Sequence, residues 1–187
     1  APPEARAEAA EGLPDDAVAS YRRALLLQPR SAETHYNLGR VYEAQGKLDD
    51  ASRSYRRAVA LRPDYAEAHF NRGNVLQAAG QAAAAMTSYQ RTVALKPDHA
   101  EAHNNLGAQF EIADRLDEAM ASYRRALALR PDFPEAHNNL GNVLLAAGRP
   151  DEAIASYQAA IRSRPDYAEA HNNLGNALQA AGRLDEA

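Results

Sequence analysis

Asparagine returns at one interval: Asn37, Asn71, Asn105, Asn139 and Asn173 stand 34 residues apart. It is a mediocre helix former because its amide competes for backbone hydrogen bonds, so its repetition calls for a purpose. A carboxamide offers donors and acceptors together. A row of them can grip the backbone of an extended peptide with little regard for its sequence. The alternative is that these amides only tie neighbouring helices together. Histidine keeps the same interval at His35, His69, His103, His137 and His171. That spacing puts them on different helix pairs, which suits packing and not a shared metal. His99 and His103, in HAEAH, are spaced for one helix face, but zinc needs further ligands and His99 falls at a helix start. Ser54, Ser88, Ser122 and Ser156 also recur, with no base or oxyanion group attached, and the glycines are single, so no phosphate loop exists. No catalytic residue, cofactor or metal is expected, and the chain reads as non-enzymatic.

The interval belongs to the whole chain. Pro29, Pro63, Pro97, Pro131 and Pro165 mark it, and fixed-period repeats decide an architecture before anything else does. The full units are 32–65, 66–99, 100–133 and 134–167; 1–31 is a degenerate first unit and 168–187 a last unit that stops partway, in one array over 1–187. In the unit 134–167, Leu140, Val143, Leu144 and Ala147 have helical spacing, as do Ala153, Ile154, Tyr157, Ala160 and Ile161. Each half is therefore an amphipathic helix, parted by Gly148, as Gly46, Gly80 and Gly182 part the others; Asp114 takes that place in 100–133. Proline ends each second helix, since inside it would cost about 3 kcal/mol.

Charges fit these helix ends. Asp15-Asp16, Asp49-Asp50, Asp117-Glu118, Asp151-Glu152 and Asp185-Glu186 open second helices, where the dipole favours acid; Ala83-Ala84 makes that start the weakest. Asp64/Glu67, Asp98/Glu101, Asp132/Glu135 and Asp166/Glu169 read as capping boxes for the first helices, with Arg30-Ser31-Ala32-Glu33 departing from the pattern. Gly39, Gly73, Gly107, Gly141 and Gly175 fall inside first helices, each at a cost of about 1 kcal/mol against alanine. Close contact with the second helix explains them, with Tyr55, Tyr89, Tyr123 and Tyr157 packing nearby.

The pattern Leu140-Gly141, Ala153, Tyr157, Ala160, Pro165, and its counterpart Leu38-Gly39, Ala51, Tyr55, Ala58, Pro63, resembles the tetratricopeptide repeat (TPR) family over nearly the whole chain. Departures are histidine for the early aromatic, Arg72 for the leucine before glycine, Thr92 for an alanine, and Pro2-Pro3 in a frayed first helix. The resemblance implies an all-α solenoid, a right-handed superhelix of antiparallel helix pairs with first helices on its concave face. The stretches AEAHNNLG and DEAIASYQAAI are also similar to the arrays of O-linked N-acetylglucosamine transferases, which select protein substrates for a separate catalytic domain.

By that likeness the asparagine stripe faces the groove. Tyr36, Arg40, Phe70 and Asn74 line its early part and form an anchor; Asn104, Asn138, Asn142, Asn172 and Asn176 line its later part and form a backbone clamp. The expected partner is a protein or peptide. The alternatives are the substrate-selecting region of a glycosyltransferase, or a self-assembly module through a C-terminal end where Leu174 and Leu178 lie bare. A net charge of −4 argues against nucleic acid as a partner. The absence of cysteine fits a reducing compartment, so the cytoplasm is the expected location, and no apolar run is long enough to span a membrane, so no membrane partner is expected.

Overall fold

The computed structural model describes the backbone of residues 3–182 and the side chains of residues 15–182. Every regular element among them is an α-helix. The chain divides between Leu95 and Lys96 into two compact units. The first holds α1 (Pro3–Leu27), α2 (Ala32–Ala44), α3 (Leu48–Leu61), α4 (Ala66–Ala78) and α5 (Ala82–Leu95). The second holds α6 (Ala100–Ile112), α7 (Leu116–Leu129), α8 (Pro134–Ala146), α9 (Pro150–Ser163) and α10 (Ala168–Ala180).

The turn inside each repeat is set by one left-handed residue. Gly46, Gly80, Gly148 and Gly182 have φ of 69–71°. After α2, Gly46 N–H bonds Glu43 C=O and Lys47 N–H bonds Tyr42 C=O, each at 2.9 Å. These two bonds close a Schellman motif and satisfy carbonyls the helix leaves open. Asp114 does the same with φ 56°, a region that aspartate enters more readily than most side chains.

Behind the turn, a tyrosine locks the two helices of a repeat. Tyr55, Tyr89, Tyr123 and Tyr157 are at most 1 % exposed. A Cβ built on Gly39, Gly73, Gly107 or Gly141 would meet its tyrosine ring at 2.5–2.7 Å. The glycines are there because the ring occupies the space of a side chain.

Two clips hold the proline junctions. His35, His69, His103, His137 and His171 direct Nε2 at the carbonyls of Pro29, Pro63, Pro97, Pro131 and Pro165, at 2.9–3.2 Å. A carbonyl only accepts, so Nε2 carries the hydrogen. Burial, above all, lowers the pKa of His69 and His103, against the pull of the proline carbonyl. The second clip uses the arginine before proline, whose guanidinium lies over the aromatic that follows: Arg62 on Tyr65 at 4.2 Å, Arg130 on Phe133 at 3.6 Å, Arg164 on Tyr167 at 4.7 Å. Arg130 and Arg164 also donate to Glu101 and Glu135. Burial alone would raise both carboxyls; the backbone N–H of each glutamate and the facing arginine outweigh it and hold them below the usual range.

Several expectations change. The degenerate first segment forms one continuous helix, α1, where a frayed helix and a second one were expected. Asp15 therefore opens no helix; it accepts from Gln45 at 3.0 Å and faces Lys47 at 3.8 Å. The capping boxes are displaced by one residue. Tyr65, Phe133 and Tyr167 occupy the N-cap without a side-chain bond. The exceptions are His99, whose Nδ1 accepts from Ala102 N–H at 3.3 Å, and Ser31, whose Oγ accepts from Thr34 N–H at 3.2 Å. The junction that departs from the expected box is thus a true cap. Leu178 is buried and Leu174 half-buried, so the expected bare leucines do not form an apolar end. The acidic pair Asp185-Glu186 lies outside the described residues.

Candidate functional site

The first helices pack side by side within each unit, α2 with α4 in one and α6, α8 and α10 in the other. Their shared face carries the asparagines. All five stripe positions are half-buried, and three of them reach toward the first helix before their own. In the first unit Asn71 Nδ2 donates to Tyr36 Oη at 3.1 Å. In the second, Asn139 Nδ2 donates to Asn104 Oδ1 at 3.2 Å and Asn173 Nδ2 to Asn138 Oδ1 at 3.1 Å. In these three cases the stripe asparagine bonds the residue that precedes the stripe position in the previous repeat. Asn104 Nδ2 also donates to Asn105 Oδ1 at 3.3 Å, and Asn138 Nδ2 to Glu169 Oε1 at 3.0 Å.

This ladder sorts the fourteen expected groove residues. Asn104 and Asn138, expected to line a groove, are 8 % and 0 % exposed and accept from Asn139 and Asn173. Asn74 and Asn142 accept from Tyr89 and Tyr157 hydroxyls at 2.9 and 2.8 Å, and Asn142 Oδ1 also takes a bond from Asn173 at 3.1 Å. Tyr36 packs on Tyr65 and Tyr55 with ring centres 4.9 and 5.8 Å apart, and Phe70 on Tyr89 at 6.0 Å. Arg40, Asn172 and Asn176 are exposed.

The tyrosine hydroxyls expose residues that the sequence reading missed. Tyr55 donates to Glu43 at 2.6 Å, Tyr123 to Glu111 at 2.9 Å, and Tyr89 to Gln77 as well as Asn74, at 2.9 Å. Two repeat positions thus share the role of acceptor. They hold Arg40 with Glu43, Asn74 with Gln77, Ala108 with Glu111, and Asn142 with Leu145. Where the first member cannot accept, the second is a glutamate; where the second is leucine, the first is asparagine. Comparing those positions pairwise would have revealed it. Burial pushes the phenols of Tyr55 and Tyr123 upward, with Glu43 and Glu111 adding to it, and that of Tyr157 up to about 12, through burial and then Glu111 and Glu169.

Helix pairs of this length, a Gly–Tyr lock and a proline-closed junction define a helical repeat protein of the solenoid class. Profiles of the TPR repeat match residues 5–46, 43–80, 114–148 and 141–182, and a tetratricopeptide repeat profile matches 66–99. The chain belongs to the TPR family. Among solved structures it is similar to MamA, at 27 % identity over 83 % of this chain and 85 % of that one, with TM-score 0.79. It also resembles YrrB, described as a TPR protein with an unusual peptide-binding site, at 24 % identity over 90 % and 87 %, TM-score 0.80. A third likeness is the first TPR of Spaghetti (RPAP3) bound to the HSP90 peptide SRMEEVD, at 21 % identity over 63 % and 93 %, TM-score 0.61. No curated protein matches the chain. No described helix is long and apolar enough to cross a membrane.

Proposed function

We propose that the chain is a protein-interaction scaffold that holds an extended peptide segment against the first-helix face of its repeats. The carrying observation is the ladder across α6, α8 and α10. Asn139 spends one amide hydrogen on Asn104 and keeps its second hydrogen and its oxygen. Asn173 spends its hydrogens on Asn138 and Asn142 and keeps its oxygen. A peptide backbone presents one donor and one acceptor per residue, which those groups complement without any internal bond breaking. Fixing the amides beforehand lowers the ordering cost of binding. In the first unit exposed Arg40, with Tyr36 and Phe70, supplies the anchor in this reading; arginine and aromatics dominate recognition sites. The fold is one on which YrrB carries a peptide-binding site.

The test is a random peptide library selected on the purified chain, with affinities then measured against Asn139→Ala and Arg40→Ala. A loss of about tenfold for Asn139→Ala with unchanged helicity supports the clamp, one hydrogen bond being worth about 0.5–1.5 kcal/mol. Unchanged affinity for both variants refutes it. The strings AEAHNNLG and DEAIASYQAAI favour a second reading, the substrate-selecting part of a glycosyltransferase. Selection of peptides that all carry a serine or threonine acceptor would favour that one.

A further inference from the structure

The tyrosine lock has two halves, and among the described residues each half stands once without the other. One period after Gly141, Gly175 of α10 holds the place where Gly39, Gly73, Gly107 and Gly141 meet their tyrosines, yet nothing lies within 4 Å of its Cβ position. The rest of the receiving half is present. Asn176 and Gln179 repeat the pair Asn74 and Gln77 that holds the Tyr89 hydroxyl at 2.9 Å, and both are exposed. Leu174 is half-buried, where Leu38, Leu106 and Leu140 are 6–7 % exposed. The opening on α10 is a slot shaped for a tyrosine ring, not a bare leucine surface.

The opposite half is on α1. Tyr21 stands one period before Tyr55, between Ala17 and Ala24, the counterparts of Ala51 and Ala58. Ala51, Tyr55 and Ala58 are 0 % exposed, whereas Ala17, Tyr21 and Ala24 are only half-buried. One side of α1 is covered: Val18 is buried, and Tyr21 and Leu25 pack on its cluster with Leu38 and Tyr42. The other side is open. Leu27 is 80 % exposed, while Leu61, Leu95 and Leu129 at the same repeat position are half-buried. In a full repeat the first helix covers this side; here residues 3–14 continue α1 and do not fold back along it, and Ala5 stands where the glycine would be.

We propose that two copies of the chain complete one repeat between them: α10 of one copy pairs with α1 of the next, and Tyr21 enters the slot over Gly175 with its hydroxyl on Asn176 or Gln179. A Cβ at Gly141 would come within 2.5 Å of its ring, so a lock tyrosine demands a helix that bears glycine at this place. Among the described helices, α10 is the one whose lock glycine is unoccupied. α10 already packs on α9 and α1 on α2, so the joint continues the alternation of first and second helices from copy to copy. Helices paired across a short turn run antiparallel. In that sense residues 3–14 pass beyond the Gly182 end of α10 and take no room on its face. The contact is heterologous, so copies add in a row or close into a ring. This joint is independent of the peptide-binding reading.

Sedimentation velocity of the purified chain, from micromolar to millimolar concentration, tests the joint. The mean mass should rise with concentration. Gly175→Leu fills the slot from a position in open space, so it should keep the fold; Tyr21→Ala removes the ring. Each should weaken self-association at least about thirtyfold, the loss expected of a buried interface aromatic. Ala24→Arg places a charge in the same seam, should act like Tyr21→Ala, and replaces it if that variant loses helicity. Mixed together, Gly175→Leu and Tyr21→Ala should form a one-to-one dimer and nothing larger, because the first still offers α1 and the second still offers α10. A wild-type chain that stays monomeric at millimolar concentration overturns the joint. So does a loss of assembly in only one of the two variants, which assigns a symmetric contact between like helices, and so does a mixture that stays monomeric.

Discussion

Gly141→Ala tests the close approach that shapes every repeat, because two principles predict opposite signs. Helix propensity alone favours alanine by about 1 kcal/mol. The structure opposes it: the new Cβ would lie 2.5 Å from Tyr157 Cε1 and 2.8 Å from Cδ1 and Cζ, where carbon atoms rest at about 3.5–4.0 Å. Tyr157 cannot retreat, being 1 % exposed with its hydroxyl held by Asn142 at 2.8 Å. Overpacking costs about 1–3 kcal/mol, and displacing the hydroxyl forfeits about 1 kcal/mol more. The balance is a loss of about 1–3 kcal/mol, at about 2–4 °C of melting temperature per kcal/mol for a chain of this size. Gly175 is the internal control, since nothing lies within 4 Å of its Cβ position. Gly175→Ala should stabilise α10 by up to about 1 kcal/mol. Urea and thermal melts by circular dichroism measure the first variant, and amide exchange in α10 the second. If Gly141→Ala stabilises α8 as Gly175→Ala stabilises α10, the close-approach reasoning is wrong.

Stability should also decline on mild acidification. The folded pKa of His69 and His103 is lowered from 6.5, so the unfolded chain binds protons more readily; their contribution is complete above pH 6.5 and is lost as pH falls through the folded values. Glu101 and Glu135, lowered from 4.5, hold theirs down to about that pH and lose it below. Melting temperature measured from pH 7.5 to 5 should therefore fall, and a flatter profile is expected for His69→Gln/His103→Gln; an unaltered slope would count against the histidines. For the hydroxyl acceptors, Glu43→Ala removes the acceptor of the buried Tyr55 hydroxyl, which Arg40 cannot replace, and should cost about 1–3 kcal/mol. Gln77→Ala leaves Tyr89 its bond to Asn74 and should cost less than about 1 kcal/mol; equal losses in urea denaturation would refute the shared-acceptor account.

What the sequence made legible is what costs something locally. A glycine inside a helix, a proline at a fixed interval and an aspartate in a left-handed turn each violate a propensity, and Gly141, Pro165 and Asp114 each have the reason expected of them. The capping boxes failed because an acid three residues before a glutamate looks the same whether it sits at the cap or one residue outside it. Arg62, Arg130 and Arg164 lie over the residue after the acid, and that aromatic takes the cap. The candidate face was half legible. Adjacent asparagines such as Asn138-Asn139 lie about 100° apart on a helix, and only the position of the next helix decides which is buried. The histidine clip was invisible because its acceptor is a backbone carbonyl, which leaves no trace in residue type.

The ladder also determines how the face can be tested. Removing an asparagine from it changes two things at once, the internal bond and the surface presented to a peptide. Asn138 does only the first, being fully buried between Asn173 and Glu169, so its loss reports on the scaffold. Arg40 does only the second, being exposed and unable to accept from the tyrosine hydroxyls. Asn139 does both, with one hydrogen committed to Asn104 and the rest of its amide available. A binding loss in Asn139→Ala therefore belongs to the ligand only by the amount that exceeds the loss in Asn104→Ala, which breaks the same Asn139–Asn104 bond from its buried side. That difference measures what the stripe contributes to recognition, separate from the helix packing that the same residues maintain.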